Sequence, residues 1–258
     1  MATPQFTALV LAGSRTKSVV GQVPTSKAAL PLRGVPMIRR VVENLSQSAH
    51  VRDIVVCGPA HLAQWTSVPV VPTGGSPAGS VAAFLERVES PWPVLVTTAD
   101  HPLLTTAMID HFCARTLENL TDITVGMASR KLVMDAYPGS RRTAYGFRDD
   151  AWCSCNIFGM NTPRIVEVVR FWQSLEAHRK NPLRIVRAFG LRNLVNVLLG
   201  RYTLTQAFDA GAARLGITAR AIEMPWPEAA IDVDTLDDLV LVDQIIAGRE
   251  RQALRPAE

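Results

Sequence analysis

No stretch of this 258-residue chain is apolar for the roughly 20 residues that a helix needs to span a bilayer, and none is a low-complexity run or an internal repeat. Cysteine is scarce: Cys57, Cys113, Cys153 and Cys155 are all there is. Cys153-Ser154-Cys155 lacks a partner pair and zinc-finger spacing, so the four read as free thiols in a reducing compartment. Charge of one sign forms no block. The 27 Lys and Arg against 23 Asp and Glu leave a formal +4, a mild excess that suits a small anionic substrate and gives no case for nucleic acid. Met1-Ala2-Thr3-Pro4-Gln5 carries no basic n-region, so a signal peptide is not expected and the cytoplasm is. Two common phosphate loops are also missing. There is no G-x-x-x-x-G-K-[ST], and Gly13 does not begin a G-x-G-x-x-G. What is present is core: 48% hydrophobic and 19% charged residues exclude a disordered chain, and the length fits one α/β domain with an insertion.

The chain is organised around residues 6–27. Phe6-Thr7-Ala8-Leu9-Val10-Leu11 is a short apolar run with β-branched residues, as expected of a strand buried on both faces. It ends in Ala12-Gly13-Ser14-Arg15-Thr16-Lys17. Gly13 permits close backbone approach or a positive φ. Ser14 and Thr16 add hydroxyls, Arg15 adds a fork suited to phosphate oxygens, and Lys27 brings a second cation. A strand-to-helix connection with an ordinary glycine fits the same residues. Open α/β sheets bind ligands at the carboxyl ends of their strands, which is where this loop lies.

Periodicity then predicts a helix at 37–45, a strand at 53–58 and an edge strand at 68–72, whose prolines argue against a central position. Thr73-Gly74-Gly75-Ser76-Pro77-Ala78-Gly79-Ser80 precedes a helix at 81–88, with Ser80 as its expected cap. A strand at 94–96 delivers Thr98 and Asp100 to the same sheet edge as Gly13. A carboxylate beside an anion cradle calls for a cation between them, and Mg²⁺ binds one or two carboxylates plus phosphate oxygens. Asp100 as a helix cap before Pro102 is the plainer alternative. His101 is read as a bystander with no visible partner.

Further on, 108–117 reads as a helix and 122–128 as a strand, followed by an irregular basic segment with Lys131, Arg141 and Arg142. That segment is either an acceptor-phosphate site or a solvated face. A strand at 154–160 follows, then helices at 164–172, 185–199 and 204–215. Leu191, Leu194, Val195, Leu198 and Leu199 form a stripe on one helix face. The stripe is favoured as core, with a homodimer face and a peripheral membrane contact as the other readings. A last strand lies at 221–224, Asp237-Asp238 begin a final helix, and the polar tail from Gly248 is expected to fray.

Leu9-Val10-Leu11-Ala12-Gly13-Ser14-Arg15 and Lys27-Ala28-Ala29-Leu30-Pro31-Leu32-Arg33-Gly34-Val35-Pro36-Met37-Ile38 resemble the opening of the MobA-like nucleotidyltransferases. That group includes the molybdenum-cofactor guanylyltransferases and the methylerythritol phosphate cytidylyltransferases. Ser14 stands where the usual loop has its second Gly, and residues 18–24 are irregular. Thr97-Thr98-Ala99-Asp100-His101-Pro102-Leu103-Leu104 is similar to the family's metal-binding motif, Gly74-Gly75…Ser80-Val81 to its base-recognition stretch, and Ala229 to Leu239 to its late acidic motif, with Leu236 replacing the usual Pro. The resemblance runs from residue 6 to about 245 and is thinnest across 164–217.

The resemblance implies a Rossmann-like GT-A α/β fold, mostly parallel with helices on both faces. It would be a single domain over 1–258, with a helical insertion at about 164–217. It implies transfer of an NMP from an NTP, CTP rather than GTP, to a phosphorylated small molecule with release of pyrophosphate. Arg15 and Lys27 would be catalytic. Leu11, Ala12, Gly13, Ser14, Arg15, Lys27, Gly74, Gly75, Ser80 and Thr98 would bind the nucleotide. Lys131, Arg141 and Arg142 would bind the acceptor, and Asp100 and Asp232 would hold Mg²⁺. A molybdenum-cofactor-type guanylyltransferase, a GT-A glycosyltransferase and a non-catalytic homologue are the competing readings.

Overall fold

The computed structural model describes residues 4–13, 26–177 and 190–253. Strand β1 (Phe6–Leu11) is buried almost throughout. It pairs in parallel with β4 (Val51–Cys57) on one side and β6 (Val94–Thr98) on the other, with Leu11 opposite both Cys57 and Thr98. The sheet runs β10-β7-β9-β6-β1-β4-β5, with β5 at Val70–Val71, β7 at Ile123–Ser129, β9 at Ala151–Met160 and β10 at Ala219–Glu223. Only β9 runs against the rest, and β8 (Ala144–Gly146) pairs with it off the main path. Pro69 and Pro72 flank β5 at the sheet edge, where a missing N–H costs no ladder bond. The chain steps outward from β1 through β4 to β5, then returns to the far side of β1 with β6. The strand order therefore reverses between β1 and β6, and a crevice opens there at the carboxyl ends.

Strand alternation sends Phe6, Ala8 and Val10 to one face and Leu9 to the other. The first face is covered by α1 (Met37–Ser46) and α3 (Thr106–Asn119), through Ile38, Val41, Leu45, Met108, Ile109 and Phe112. The second is covered by α2 (Pro77–Arg87) and α5 (Ile165–Ala177), through Val81, Phe84, Ile165 and Val169. A hairpin of β2 (Pro31–Leu32) and β3 (Val35–Pro36) turns at Arg33 and Gly34, whose φ of 51° and 79° suit a two-residue primed turn. Leu30, Leu32 and Met37 from this region close a third cluster with Ile231, Val233, Val242 and Ile246. The last helix is thereby held against the start of the chain.

Several boundaries differ from expectation. Helix α2 starts at Pro77 and is capped by Ser76, whose Oγ accepts from the Gly79 N–H at 3.0 Å. Proline at the first helical position, with its fixed φ and no N–H to satisfy, puts the cap four residues ahead of Ser80. The basic segment contains a helix, α4 (Arg130–Ala136), anchored by buried Val133. The segment expected as an insertion, 164–217, contains α5 together with α6 (Leu191–Leu198) and α7 (Leu204–Arg214), while the expected helical residues 185–189 lie outside the described residues. A Thr203–Gln206 capping box starts α7, and the Leu204 N–H donates to Asp149 at 3.1 Å. On the expected core stripe Val195 is 38% and Leu199 59% exposed, so these two do not complete the core; the side chains of Leu191, Leu194 and Leu198 are outside those described. The final helix, α8 (Leu236–Ala253), does not fray at Gly248. Arg33 bonds Glu250 at 2.6 Å, and Arg249 reaches the Leu103 carbonyl at 3.3 Å. No helix among the described residues is long and apolar enough to cross a membrane, and all four cysteines are free and buried.

Candidate active site at the carboxyl ends of the strands

Three short extensions meet at the reversal point. Beyond β1, the Ala12 N–H bonds the Cys57 carbonyl at 2.8 Å, carrying the chain across the end of β4 to Gly13. Beyond β6, the Ala99 N–H bonds the Leu11 carbonyl at 2.9 Å, and Asp100 follows. The third extension comes from far along the chain. The Val233 N–H donates to the Asp100 carbonyl at 2.9 Å, so Asp232 and Asp234, two apart on an extended segment, flank a bond to Asp100 itself. One carboxylate oxygen from each of Asp100, Asp232 and Asp234 lies within 4.8 Å of the others.

Two cations neutralise part of this charge. The Lys27 ammonium lies 2.5 Å from Asp100 Oδ2 and 2.9 Å from Asp234 Oδ1. Burial pulls the Lys27 pKa down, but the Asp100 charge and hydrogen bond, with Asp234 behind them, raise it above the ordinary value. Arg142 bridges Asp232 and Asp238 and also donates to the Asp232 carbonyl at 3.0 Å. Asn156 Nδ2 holds the other Asp232 oxygen at 2.8 Å. Burial, then the Asp234 and Asp100 charges, lift the Asp232 pKa above the ordinary carboxylate value against the opposing pull of Arg142. Counting Asp238, four carboxylates face two cations among the described residues, an excess of two negative charges when all are ionised. Asp100 Oδ1 is buried with no hydrogen-bond partner among them.

The expected site residues divide into those the fold gathers and those it does not. Lys27, Asp100 and Asp232 come together, and Leu11, Ala12, Gly13 and Thr98 sit at the adjoining strand ends. Gly74, Gly75 and Ser80 form a turn in which Ser80 Oγ accepts from the Gly74 N–H at 3.0 Å, and Thr73 of this turn lies against Gly13. Ser14 and Arg15 lie outside the described residues. Lys131 is exposed and pairs with Asp135 one turn along α4 at 2.6 Å, the pattern of a solvated helix face. Arg141 is exposed. Arg142, expected on the acceptor, is held inside the acidic cluster instead: its two terminal nitrogens are engaged by Asp232 and Asp238, and its buried Nε has no hydrogen-bond partner among the described residues. His101 does have a partner. Its Nε2 lies 3.4 Å from the Glu228 carbonyl, and burial lowers its pKa to about 4, which keeps it neutral.

Asp234 and Asn156 are site residues that sequence reasoning did not assign. The D-x-D spacing was the signal for Asp234, since period two puts both carboxylates on one side of an extended segment. Asn156 sits at φ 50° where the β7–β9 register shifts between Val125 and Met127. A polar Asn inside an apolar strand run, and of a type that tolerates the left-handed region, was its signal.

Two glycines separate fold from ligand. A Cβ at Gly74 would lie 2.1 Å from the Gly79 carbonyl oxygen, so Gly74→Ala is expected to cost about 2 kcal/mol in a denaturant melt. Among the described residues a Cβ at Gly13 would meet only Thr73 Cγ2, at an ordinary 3.5 Å, and Gly13 has no positive φ. Nothing among the described residues therefore demands glycine there. Gly13→Ala should leave stability within about 0.5 kcal/mol and, on the expectation that Gly13 binds nucleotide, weaken nucleotide affinity about tenfold; unchanged affinity would sink that expectation.

Comparison with known proteins adds three findings. Residues 8–208 match the family model of the MobA-like NTP transferase domain; the acidic segment 232–238 lies beyond the matched range. A search of curated proteins finds no match. Among solved structures, a hypothetical transferase of Thermus thermophilus is 28% identical, with a TM-score of 0.79 over 91% of this chain and 99% of that one. At 15% and 8% identity, a CMP:2-keto-3-deoxy-manno-octonic acid synthetase complexed with CTP (TM-score 0.59) and a 4-diphosphocytidyl-2C-methyl-D-erythritol synthase of Anaerococcus prevotii (TM-score 0.58) share the fold. They cover 96% and 95% of this chain, and 100% and 99% of their own.

Proposed function

The chain belongs to the MobA-like NTP transferase family and is a nucleotidyltransferase, and from that premise we propose that it moves an NMP from an NTP, CTP in preference to GTP, to a phosphorylated small-molecule acceptor, releasing pyrophosphate with Mg²⁺ as its cation. The observation that carries this reading is the meeting of Lys27 with Asp100, Asp232 and Asp234 beside the end of β1, at the point where the strand order reverses. The residues fit a hard divalent cation: all donors are carboxylate oxygens, they converge, and Asp100 Oδ1 is buried without a partner among the described residues. Asp100 and Asp232 would hold it, with Asp234 as a further donor, and it would neutralise phosphate charge at the reacting centre.

The chain's own residues supply the rest. The Gly13 backbone, Ser14, Arg15 and Lys27 hold the triphosphate, and the two cations offset charge that develops on its oxygens. Leu11, Ala12 and Thr98 line the nucleotide, and the Gly74-Gly75…Ser80 turn meets the base. Lys131 and Arg141 face the acceptor phosphate. An acceptor phosphate is already anionic, so no protein base is required, in keeping with a His101 that is buried and neutral. The preference for CTP rests on the likeness of the Gly74-Gly75…Ser80 turn to the cytidylyltransferases. We place the reaction in the cytoplasm, in one domain.

Thermal melts with each of the four NTPs, with and without Mg²⁺, test this reading. A ligand present at 100 times its Kd adds about 2.7 kcal/mol to folded-state stability. CTP with Mg²⁺ is expected to give the largest upward shift. A larger shift with GTP would reassign the base, and no shift with any NTP would overturn the reading.

A further inference from the structure

The two cations of the site are held very differently. Arg142 is 9% exposed and locked between Asp232 and Asp238, and Asp238 is itself fixed by the N–H groups of Asp234 and Thr235 at 3.1 and 2.8 Å. Lys27 is 23% exposed, and one of its two partners, Asp234, is 63% exposed. Its backbone is anchored in a 3-10 turn, Lys27–Ala29, by buried Ala28 and Ala29, while its four-carbon stem lets the ammonium move without the turn. That ammonium sits on oxygens of Asp100 and Asp234, two of the three carboxylates that converge.

We propose that Lys27 is the placeholder for the divalent cation: without nucleotide its ammonium occupies Asp100 and Asp234 and keeps the metal out, and an incoming triphosphate draws it away and opens those carboxylates. This rests on the functional reading above. A triphosphate offers a lysine several charged oxygens in exchange for two carboxylates, and the carboxylates so released face a cation of twice the charge. Metal and nucleotide then bind with positive coupling, and the coupling is reciprocal. Lys27 thereby sets the order of assembly as well as contacting phosphate.

The test is Mn²⁺ binding, followed by its paramagnetic resonance signal, to the wild type, Lys27→Met, Lys27→Gln and Asp100→Asn, each with and without CTP or GTP. Wild type is expected to bind Mn²⁺ weakly alone, and with nucleotide to bind beyond what the nucleotide holds in solution. Lys27→Met should bind Mn²⁺ alone at least about tenfold more tightly than wild type. Lys27→Gln keeps a hydrogen-bond donor without the charge, should move the same way, and serves if the Met variant does not fold. If both fold and bind Mn²⁺ alone no more tightly than wild type, while wild type still shows nucleotide-dependent binding that Asp100→Asn loses, the placeholder role is overturned and the functional reading stands. If wild type shows no nucleotide-dependent binding and Asp100→Asn changes nothing, both fall together.

Discussion

Asp100→Asn is expected to lower pyrophosphate release by about 10³-fold while leaving the fold intact. The substitution is nearly isosteric. Its backbone ties, the Val233 N–H to the Asp100 carbonyl at 2.9 Å and the neighbouring Ala99 N–H to Leu11, do not involve the side chain. The remaining side-chain oxygen can still accept from Lys27, which now stands 2.5 Å from Oδ2. At the other position an amide replaces Oδ1, an oxygen without a partner among the described residues, so one unsatisfied polar atom replaces another there. Stability should therefore move by no more than about 1 kcal/mol. What disappears is a full negative charge at the point where three carboxylates converge. The expected signature is a normal melt without ligand, loss of the Mg²⁺-dependent shift with NTP, and loss of turnover. Wild-type turnover with unchanged metal dependence would move the metal elsewhere.

How far the site was legible depends on the distance over which each residue finds its partner. The first strand and the loop after it are local features: six apolar residues and then a glycine announce a buried strand and a turn. Asp100 is legible for the same reason, as the polar end of an apolar strand. Ser76 was legible but passed over in favour of Ser80. Both Ser76 and Ser80 can cap a helix, and Pro77 at the first helical position decides between them. Asp234 carried the D-x-D spacing, but its meeting with Asp100 depends on a single backbone bond between segments far apart in the chain. Asn156 depends on a bulge that leaves no periodic trace. Val195 and Leu199 keep helical spacing yet stay exposed, because periodicity identifies a face and says nothing about what covers it. Arg142 was the least legible. It lies in an irregular basic segment, and its partners are 90 and 96 residues away, so nothing local marked it as buried.

That placement makes Arg142→Ala the second decisive variant. A phosphate ligand on a solvated loop can be removed with little loss of stability. A cation 9% exposed between two carboxylates cannot, because its loss leaves buried charge uncompensated. The cost is expected to be about 3 kcal/mol, the lower end for a broken buried pair, since Asp238 keeps the N–H groups of Asp234 and Thr235 at the start of α8 and Asp232 keeps Asn156. Arg141→Ala, at an exposed neighbour, should change stability by less than about 0.5 kcal/mol. Arg142→Lys keeps one charge but cannot fork to both carboxylates, so it should recover only part of the loss. The pH dependence identifies the cause. Burial and the Asp234 and Asp100 charges already hold the Asp232 pKa above 3.8, and Arg142 opposes them. Without Arg142 it rises further. A carboxyl whose folded pKa exceeds its unfolded value favours the folded state at low pH and loses that contribution as pH rises through the folded pKa. The deficit of Arg142→Ala is therefore expected to be largest near neutral pH and to shrink on acidification towards 3.8, as Asp232 takes up its proton. Denaturant melts from neutral pH down to about pH 4 measure it. A variant as stable as wild type across that range, with only a raised KM for the acceptor, would return Arg142 to the substrate.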